Sequence, residues 1–270
     1  MQMNEKYSVS DHTFVVCAYG ESEFLESCVR SVAYQSIPVK VIIATSTPNE
    51  LITGIATKYR LPVFVRSEGE NGIAADWNFA LSCADTPLVT IAHQDDIYHS
   101  HYAEEILKAA NTSEHPLIVF SDYAELRGKE TWTGNKNLYI KRFLLLPLRS
   151  KKNRGSIFWR RRALSLGNPI CCPAVTYAVE NLPKPIFENN MKSNIDWQAW
   201  ERLSSMKGDF IYLTQPLMKH RIHEESTTSK LIEDDGRKEE DIQVFVKFWP
   251  RWVAKILEKF YAGAEKSNKV

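Results

Sequence analysis

The sequence predicts an α/β fold, a mostly parallel sheet flanked by helices with a helical C-terminal extension. Three observations carry that prediction. Apolar β-type runs alternate with helix-spaced segments from Thr13 to Tyr123. Polar residues collect where three of those runs end. An amphipathic segment, Trp249 to Tyr261, lies near the end of the chain. Such alternation argues βαβ units, and sheets of this kind bind ligands beyond the carboxyl ends of their strands.

The elements follow in order. Thr13 to Tyr19 is the first strand. Glu21 to Tyr34 is a helix, with apolar residues at Phe24, Leu25, Cys28, Val29 and Val32, and its early glutamates suit a helix N-terminus. Val39 to Ala44 is the second strand, ended by Thr45-Ser46-Thr47-Pro48. Leu51 to Tyr59 is a helix and Pro62 to Arg66 the third strand. After Gly69 and Gly72, Ala74 to Ala84 is a helix. Leu88 to Ala92 is the fourth strand, His101 to Ala110 a helix, and Leu117 to Tyr123 the fifth strand. Beyond it the alternation fades. Asp196 to Met206 is a helix, Phe210 to Leu213 and Pro216 to Arg221 two short strands, and His223 to Glu240 a polar, mobile stretch. Trp249, Trp252, Val253, Ile256, Leu257, Phe260 and Tyr261 cover one half of the last helix beside the basic stripe Arg251, Lys255 and Lys259. We expect a main domain over 1–228 and a linker with the amphipathic helix over 229–270.

Charge is segregated although the net charge is only +1. Between Glu130 and Glu180 there is no acidic residue, and ten Lys and Arg lie between Lys136 and Arg162. That segment reads as a surface for anionic partners such as lipid head groups or a pyrophosphate, or as a solvated face. No spacing typical of nucleic-acid modules appears. Met1 to Asp11 lacks the apolar core of a signal peptide, no apolar run is long enough to span a bilayer, and the five cysteines form no CxxC pair. The expectation is a cytoplasmic protein, peripheral on the inner face of a membrane.

The chemistry concentrates at His93-Gln94-Asp95-Asp96, directly after the fourth strand. Adjacent carboxylates at a buried strand end are costly unless paired or bound to metal. Oxygen ligands there suit Mg²⁺ or Mn²⁺ and, through it, a phosphate. Read alone, the same residues also fit a surface loop in which one carboxylate caps the next helix.

Three blocks together resemble the family 2 glycosyltransferases, which have the GT-A fold. VVCAYGESEFLESCVRSVAYQS (15–36) is similar to the family's first strand, turn and helix through Leu25, Ser31, Val32 and Gln35. ENGIAADWNFALSCADTPLVTIAHQDDIY (70–98) resembles its Asn-Gly…Asn block and Asp-x-Asp motif. NIDWQAWERLSSMKGDFIYLTQPLMKHRIHEESTT (194–228) resembles its acceptor-side block.

The resemblance implies an inverting transfer of a sugar from a nucleotide-diphosphate donor to a hydroxyl of a glycan or lipid-linked acceptor, in cell-surface polysaccharide synthesis. Asp95 takes the place of the second Asp of Asp-x-Asp and would hold a divalent cation, Mn²⁺ or Mg²⁺, with His223. Asp196 takes the place of the general base. Arg221 falls on the diphosphate side, and Asp96 would orient a metal-bound water or a sugar hydroxyl. Ala18, Tyr19 and Glu21 lie where the first loop touches the nucleoside, with Asn71, Trp77, Asn78, His93 and Gln94 also toward the donor. Two positions depart from the family pattern. Thr45 and Ser46 stand where a base-reading Asp is usual, and His93 replaces the first Asp of Asp-x-Asp. Two rival readings remain: a zinc-dependent N-acetyl-sugar deacetylase, from the likeness of Ala92 to Ile97 to Ala-His-Pro-Asp-Asp-Glu, and a non-catalytic sugar- or lipid-binding module on a degenerate transferase scaffold.

Overall fold

A computed structural model of the chain describes residues 6–223 and 236–266, with side chains to Tyr261. Its parallel half consists of β1 (His12–Ala18), β2 (Lys40–Thr45), β3 (Val63–Val65) and β4 (Leu88–His93) in the order β3-β2-β1-β4. β1, β2 and β4 are buried on both faces and so read as continuous apolar runs, while β3 is a partly exposed edge. Val15, Ile42, Val89 and Ile91 enter one core; Phe14, Val16, Ile43 and Ala92 enter the other. Helices α1 (Leu25–Ala33), α2 (Glu50–Tyr59), α3 (Ile73–Ser82) and α4 (Tyr102–Ala110) connect or flank these strands. Leu25, Cys28, Val29 and Val32 of α1 are buried, the face their spacing predicts. Asn49 caps α2 by accepting from the Ile52 N–H at 2.9 Å. The strand ends are in step: Ala18 pairs with Thr45, and Cys17 with His93. Three loops therefore emerge side by side.

The other half is mixed. The order continues β8-β6-β9-β5 from β4, with β5 (Ile97–Tyr98), β6 (Pro116–Arg127), β8 (Val175–Ala178) and β9 (Asp209–Ile222), while β7 (Glu130–Trp132) pairs with β6. β8 runs antiparallel to both β4 and β6. The two short strands expected at 210–221 are one long strand parallel to β6, with the register slipping opposite Ser121 to Tyr123. Pro216, which has no N–H for the ladder, sits at that slip.

The segment that showed no pattern contains α5 (Lys136–Leu144) and α6 (Ile157–Leu164). Helix α7 (Ile195–Ser204) carries Asp196. The expected mobile stretch is corrected over its last part, where 236–240 open helix α8 (Gly236–Phe245). Residues 224–235, including Glu233-Asp234-Asp235 and the end of the acceptor-side block, lie outside the described residues. Helix α8 and the final helix, α9 (Arg251–Lys266), pack back on α7: Trp197 meets Phe245 of α8 at 4.9 Å and Tyr261 of α9 at 5.5 Å. The apolar half of α9 divides. Val253, Leu257 and Tyr261 are half-buried, whereas Trp252, Ile256 and Phe260 face solvent.

Candidate active site

The three loops of the parallel half hold one another. The Gln94 amide accepts from the Tyr19 N–H at 2.9 Å and donates to the Tyr19 carbonyl at 3.0 Å. The Gly20 N–H donates to the Thr47 hydroxyl at 2.7 Å, and Asn49 donates to the Gly20 carbonyl at 2.8 Å. Ser22 donates to Asp95 Oδ1 at 3.3 Å. Gly20 has φ 61°, in the left-handed region glycine adopts freely, which turns the first loop across the others.

The expected donor residues sit as follows. Gln94 is a clamp on the first loop, its amide already paired to backbone. The Ala18 methyl is buried in the core, leaving only its backbone for a ligand. Thr45 is buried and its hydroxyl accepts from the Thr47 N–H at 3.0 Å. Tyr19 and Glu21 are exposed and Ser46 half-exposed at the strand ends. Asn71 is exposed, its carbonyl accepting from Asn189 at 3.1 Å. Asn78 turns elsewhere: its amide accepts from the Ile186 and Phe187 N–H groups at 3.1 and 3.0 Å and donates to the Phe187 carbonyl at 2.7 Å. It holds the segment before α7.

The two aspartates part company. Asp95 is half-exposed, and its Oδ2 lies 3.4 Å from His223 Nε2. Asp96 is 1% exposed, and its Oδ1 accepts from the Arg221 N–H at 2.9 Å and faces His220 Nδ1 at 3.0 Å. Asp96 is held structurally through Oδ1, as a buried carboxylate needs partners, while its buried Oδ2 has no hydrogen-bond partner among the described residues. Burial works to lower the His220 pKa, but the Asp96 charge and hydrogen bond carry it above the ordinary histidine value. Arg221 Nε donates to the Asp95 carbonyl at 2.8 Å, and its guanidinium lies 4.2 Å from the Phe24 ring centre. The same ring meets His223 edge-on at 4.9 Å. Phe24 is thus a platform for the end of β9.

His93 stacks on Trp77 at 5.1 Å, and Trp77 meets Phe187 edge-on at 5.0 Å. Burial lowers the His93 pKa, opposed by the Asp96 and Asp95 charges. A neutral imidazole results near pH 7, with its Nε2 buried and unpartnered in the fold.

Asp196 stands in the first turn of α7. Its Oδ1 accepts from the Trp197 N–H at 2.7 Å and its Oδ2 from the Asn168 amide at 2.7 Å. Burial raises its pKa, while those two hydrogen bonds and the Lys141 and Arg237 charges pull the other way. A carboxylate with its basicity raised by burial suits proton abstraction. The loop before it is gripped by α8. Glu240 accepts from the Lys192, Ser193 and Asn194 N–H groups and the Ser193 hydroxyl at 2.6–3.1 Å. Asp241 accepts from the Asn194 amide at 2.7 Å. Lys141 Nζ, on α5, donates to the Tyr123 hydroxyl at 3.0 Å.

Sequence reasoning missed Ser22, Phe24, Lys141, Asn168, His220 and Glu240. Phe24 carried a sequence signal as part of the apolar face of the helix expected over 21–34, and Lys141 as one of the basic residues of the acid-free stretch; the others depend on contacts far apart in the chain.

The chain belongs to glycosyl transferase family 2, whose family model matches residues 13–175, more than half its length. This replaces the deacetylase reading. Similar solved structures confirm the GT-A fold. Staphylococcus aureus TarS 1–349 in complex with UDP-GlcNAc is 14% identical with TM-score 0.64, over 96% of this chain and 73% of that one. The mannosyltransferase PcManGT from Pyrobaculum calidifontis, in complex with GDP-Man and Mn²⁺, is 12% identical with TM-score 0.61, over 96% and 76%. Glucosyl-3-phosphoglycerate synthase from Mycobacterium tuberculosis, with UDP, is 14% identical with TM-score 0.57, over 88% and 80%. No curated protein sequence matches the chain. Among the described residues no helix is long and apolar enough to cross a membrane.

Proposed function

We propose that the protein transfers a sugar from a nucleotide-diphosphate donor to a hydroxyl of a glycan or lipid-linked acceptor, with inversion, in cell-surface polysaccharide synthesis at the inner face of a membrane. The observation that supports this most is the pairing of one accessible carboxylate, Asp95, with His223 at the strand ends, and a separate carboxylate of raised pKa, Asp196. A sugar hydroxyl is a poor nucleophile and needs a base within hydrogen-bond reach. Asp196 takes the hydroxyl proton as the acceptor oxygen forms its bond to the anomeric carbon and the bond to the diphosphate breaks. One base, with no second catalytic carboxylate required, implies single displacement, hence inversion.

The donor side fits a divalent cation. Asp95 Oδ2 and His223 Nε2 would hold it, since Mn²⁺ accepts both carboxylate and imidazole and Mg²⁺ commonly rests on one or two protein ligands plus phosphate. Bound there, the ion supplies positive charge against the leaving diphosphate. Arg221 adds a fixed positive charge beside Asp95, and the unpartnered His93 Nε2 offers a hydrogen bond to the donor. Asn168 keeps Asp196 aimed. Its amide donates to the Asp196 carboxylate at 2.7 Å, a bond that favours the charged form. The test is to incubate the protein with a panel of nucleotide sugars and Mn²⁺ and measure nucleoside diphosphate release. Release from at least one donor, abolished by chelation, is expected; no release or binding across the panel refutes the reading.

A further inference from the structure

The final helix presents a face that its own fold leaves uncovered. Trp252 and Phe260 are 68% and 75% exposed, and Ile256 between them is exposed as well. The spacing of four puts all three on one stripe. Arg251, Lys255 and Lys259 form a second exposed stripe one residue earlier in each turn. Glu258, the acidic residue between Arg251 and Tyr261, is buried. An exposed apolar stripe beside an exposed basic one, with the acid turned inward, is the pattern of a helix lying in a membrane interface.

Two further helices extend the pattern. On α5, Tyr139, Ile140 and Phe143 are exposed, and on α6, Ile157, Phe158 and Trp159 are exposed. Both lie in the stretch 131–179, which contains no acidic residue. Helix α6 reaches the start of α9: Arg162 lies 5.0 Å over the Trp249 ring, and the Trp249 indole donates to the Ser165 carbonyl at 2.6 Å. Soluble chains seldom leave this much aromatic surface open without a partner.

We infer that α5, α6 and α9 form a docking surface for an anionic lipid bilayer. Charge selects this occupant. A second copy would bring one basic face against another, whereas anionic head groups match the basic stripes and the aromatic side chains enter the interface. The surface also has the right neighbour. The inner side of α5 carries Lys141, whose charge acts on Asp196, and the inner side of α9 carries Tyr261 against Trp197, the residue after Asp196. Docking would therefore bring a lipid-linked acceptor to the side of the base. That last step rests on the transferase reading; the docking itself does not.

The test sediments the whole chain with phosphatidylcholine vesicles and with vesicles in which about one lipid in three is phosphatidylglycerol. Pelleting is expected with the anionic vesicles only, and it should weaken with added salt. Lys255→Glu with Lys259→Glu should lower vesicle affinity by at least about 25-fold, about fivefold for each charge lost. Trp252→Ser with Phe260→Ser should also lower it, with charge unchanged. All four side chains are exposed, so thermal unfolding should stay close to that of the parent and separate lost docking from lost folding. Pelleting indifferent to anionic lipid, or unmoved by either pair of substitutions, overturns the proposal. So does competition by inorganic phosphate at matched concentration, which would mean a small-anion site, or a dimer that depends on the stripe. No vesicle binding by the unsubstituted chain, with nucleotide-sugar turnover intact, refutes docking alone. Vesicle binding intact without any donor turnover refutes the transferase reading alone.

Discussion

The proposed donor and acceptor sides of the site are built by different means. On the donor side, the loops after β1, β2 and β4 emerge from neighbouring parallel strands and tie to one another through Gln94, Thr47, Asn49 and Ser22. On the acceptor side, Asp196 is held from outside its own helix, by Asn168 ahead of β8 and by α8 from beyond β9. The loops after β1, β2 and β4 fall inside the region matched by the family model; Arg221, His223, Asp196 and α8 fall beyond it. Strand adjacency alone generates the first arrangement. The second depends on long-range packing and is free to differ between chains that share the fold. The difference predicts that substitutions on the two sides separate donor binding from turnover.

The largest separation is expected at Asp196. Asp196→Asn keeps shape and removes the proton acceptor, so transfer should fall by ~10²–10⁴-fold with nucleotide affinity nearly unchanged. Near-normal transfer would remove Asp196 as the base. Glu188 is then a poor substitute, because Arg202 already pairs with it at 2.7 Å.

Glu240 probes the same side without touching substrate. Glu240→Ala leaves the Lys192, Ser193 and Asn194 N–H groups without their shared acceptor. Misplacing a base by about 1 Å can cost ~10²-fold, so kcat should fall toward that level while donor affinity holds. Glu240→Gln, which keeps one acceptor oxygen, should recover part of the loss. A fall in donor affinity matching the fall in kcat would show a general loss of structure instead.

The donor side should give the converse result. Asp95→Asn should weaken Mn²⁺-dependent nucleotide binding by at least about tenfold, since even residues one step removed from a metal typically matter that much. Unchanged affinity by calorimetry would remove Asp95 from the metal site.

The same contrast explains what could be read in the sequence. The parallel half was legible because each strand is a continuous apolar run and each helix repeats its apolar residues at helical spacing, as in α1. His93 to Asp96 stood out because charge follows such a run. The inward turn of Asp96 was not legible, since its partners His220 and Arg221 lie more than a hundred residues away. Nor was α8, whose Lys-Glu-Glu-Asp run reads as solvated polar chain. Glu240 accepts from backbone N–H groups of another loop and Asp241 from its Asn194 amide, which local pattern does not register. The division of α9 into an inner and an outer apolar stripe was hidden for the same reason, because periodicity shows that a helix has an apolar half but not how much of it the fold covers.

The smallest effect expected is the most specific. As the proposed base, Asp196 would act only when ionised, and burial sets its pKa above the ordinary aspartate value. Transfer should therefore decline as pH falls through that raised value, with an acid limb displaced upward from where a solvated aspartate would place it. The Asn168 hydrogen bond works against the displacement by favouring the charged form. Asn168→Ala removes it, so the acid limb of the kcat profile should move to still higher pH while the plateau changes less. Glu240→Ala alters where the base sits rather than the bond that stabilises its charge, and should lower the plateau with a smaller movement of the limb. The sign for stability is the reverse of a salt-bridged aspartate. A carboxyl whose pKa is raised on folding stabilises the fold below its unfolded pKa, and that contribution is lost as pH rises through the folded value. Removing Asn168's donor makes the ionised form less favourable still, so Asn168→Ala should lose more stability above the folded pKa than below it. An acid limb that moves downward, or a stability loss equal at both ends of that window, would mean that Asn168 packs beside Asp196 without tuning it.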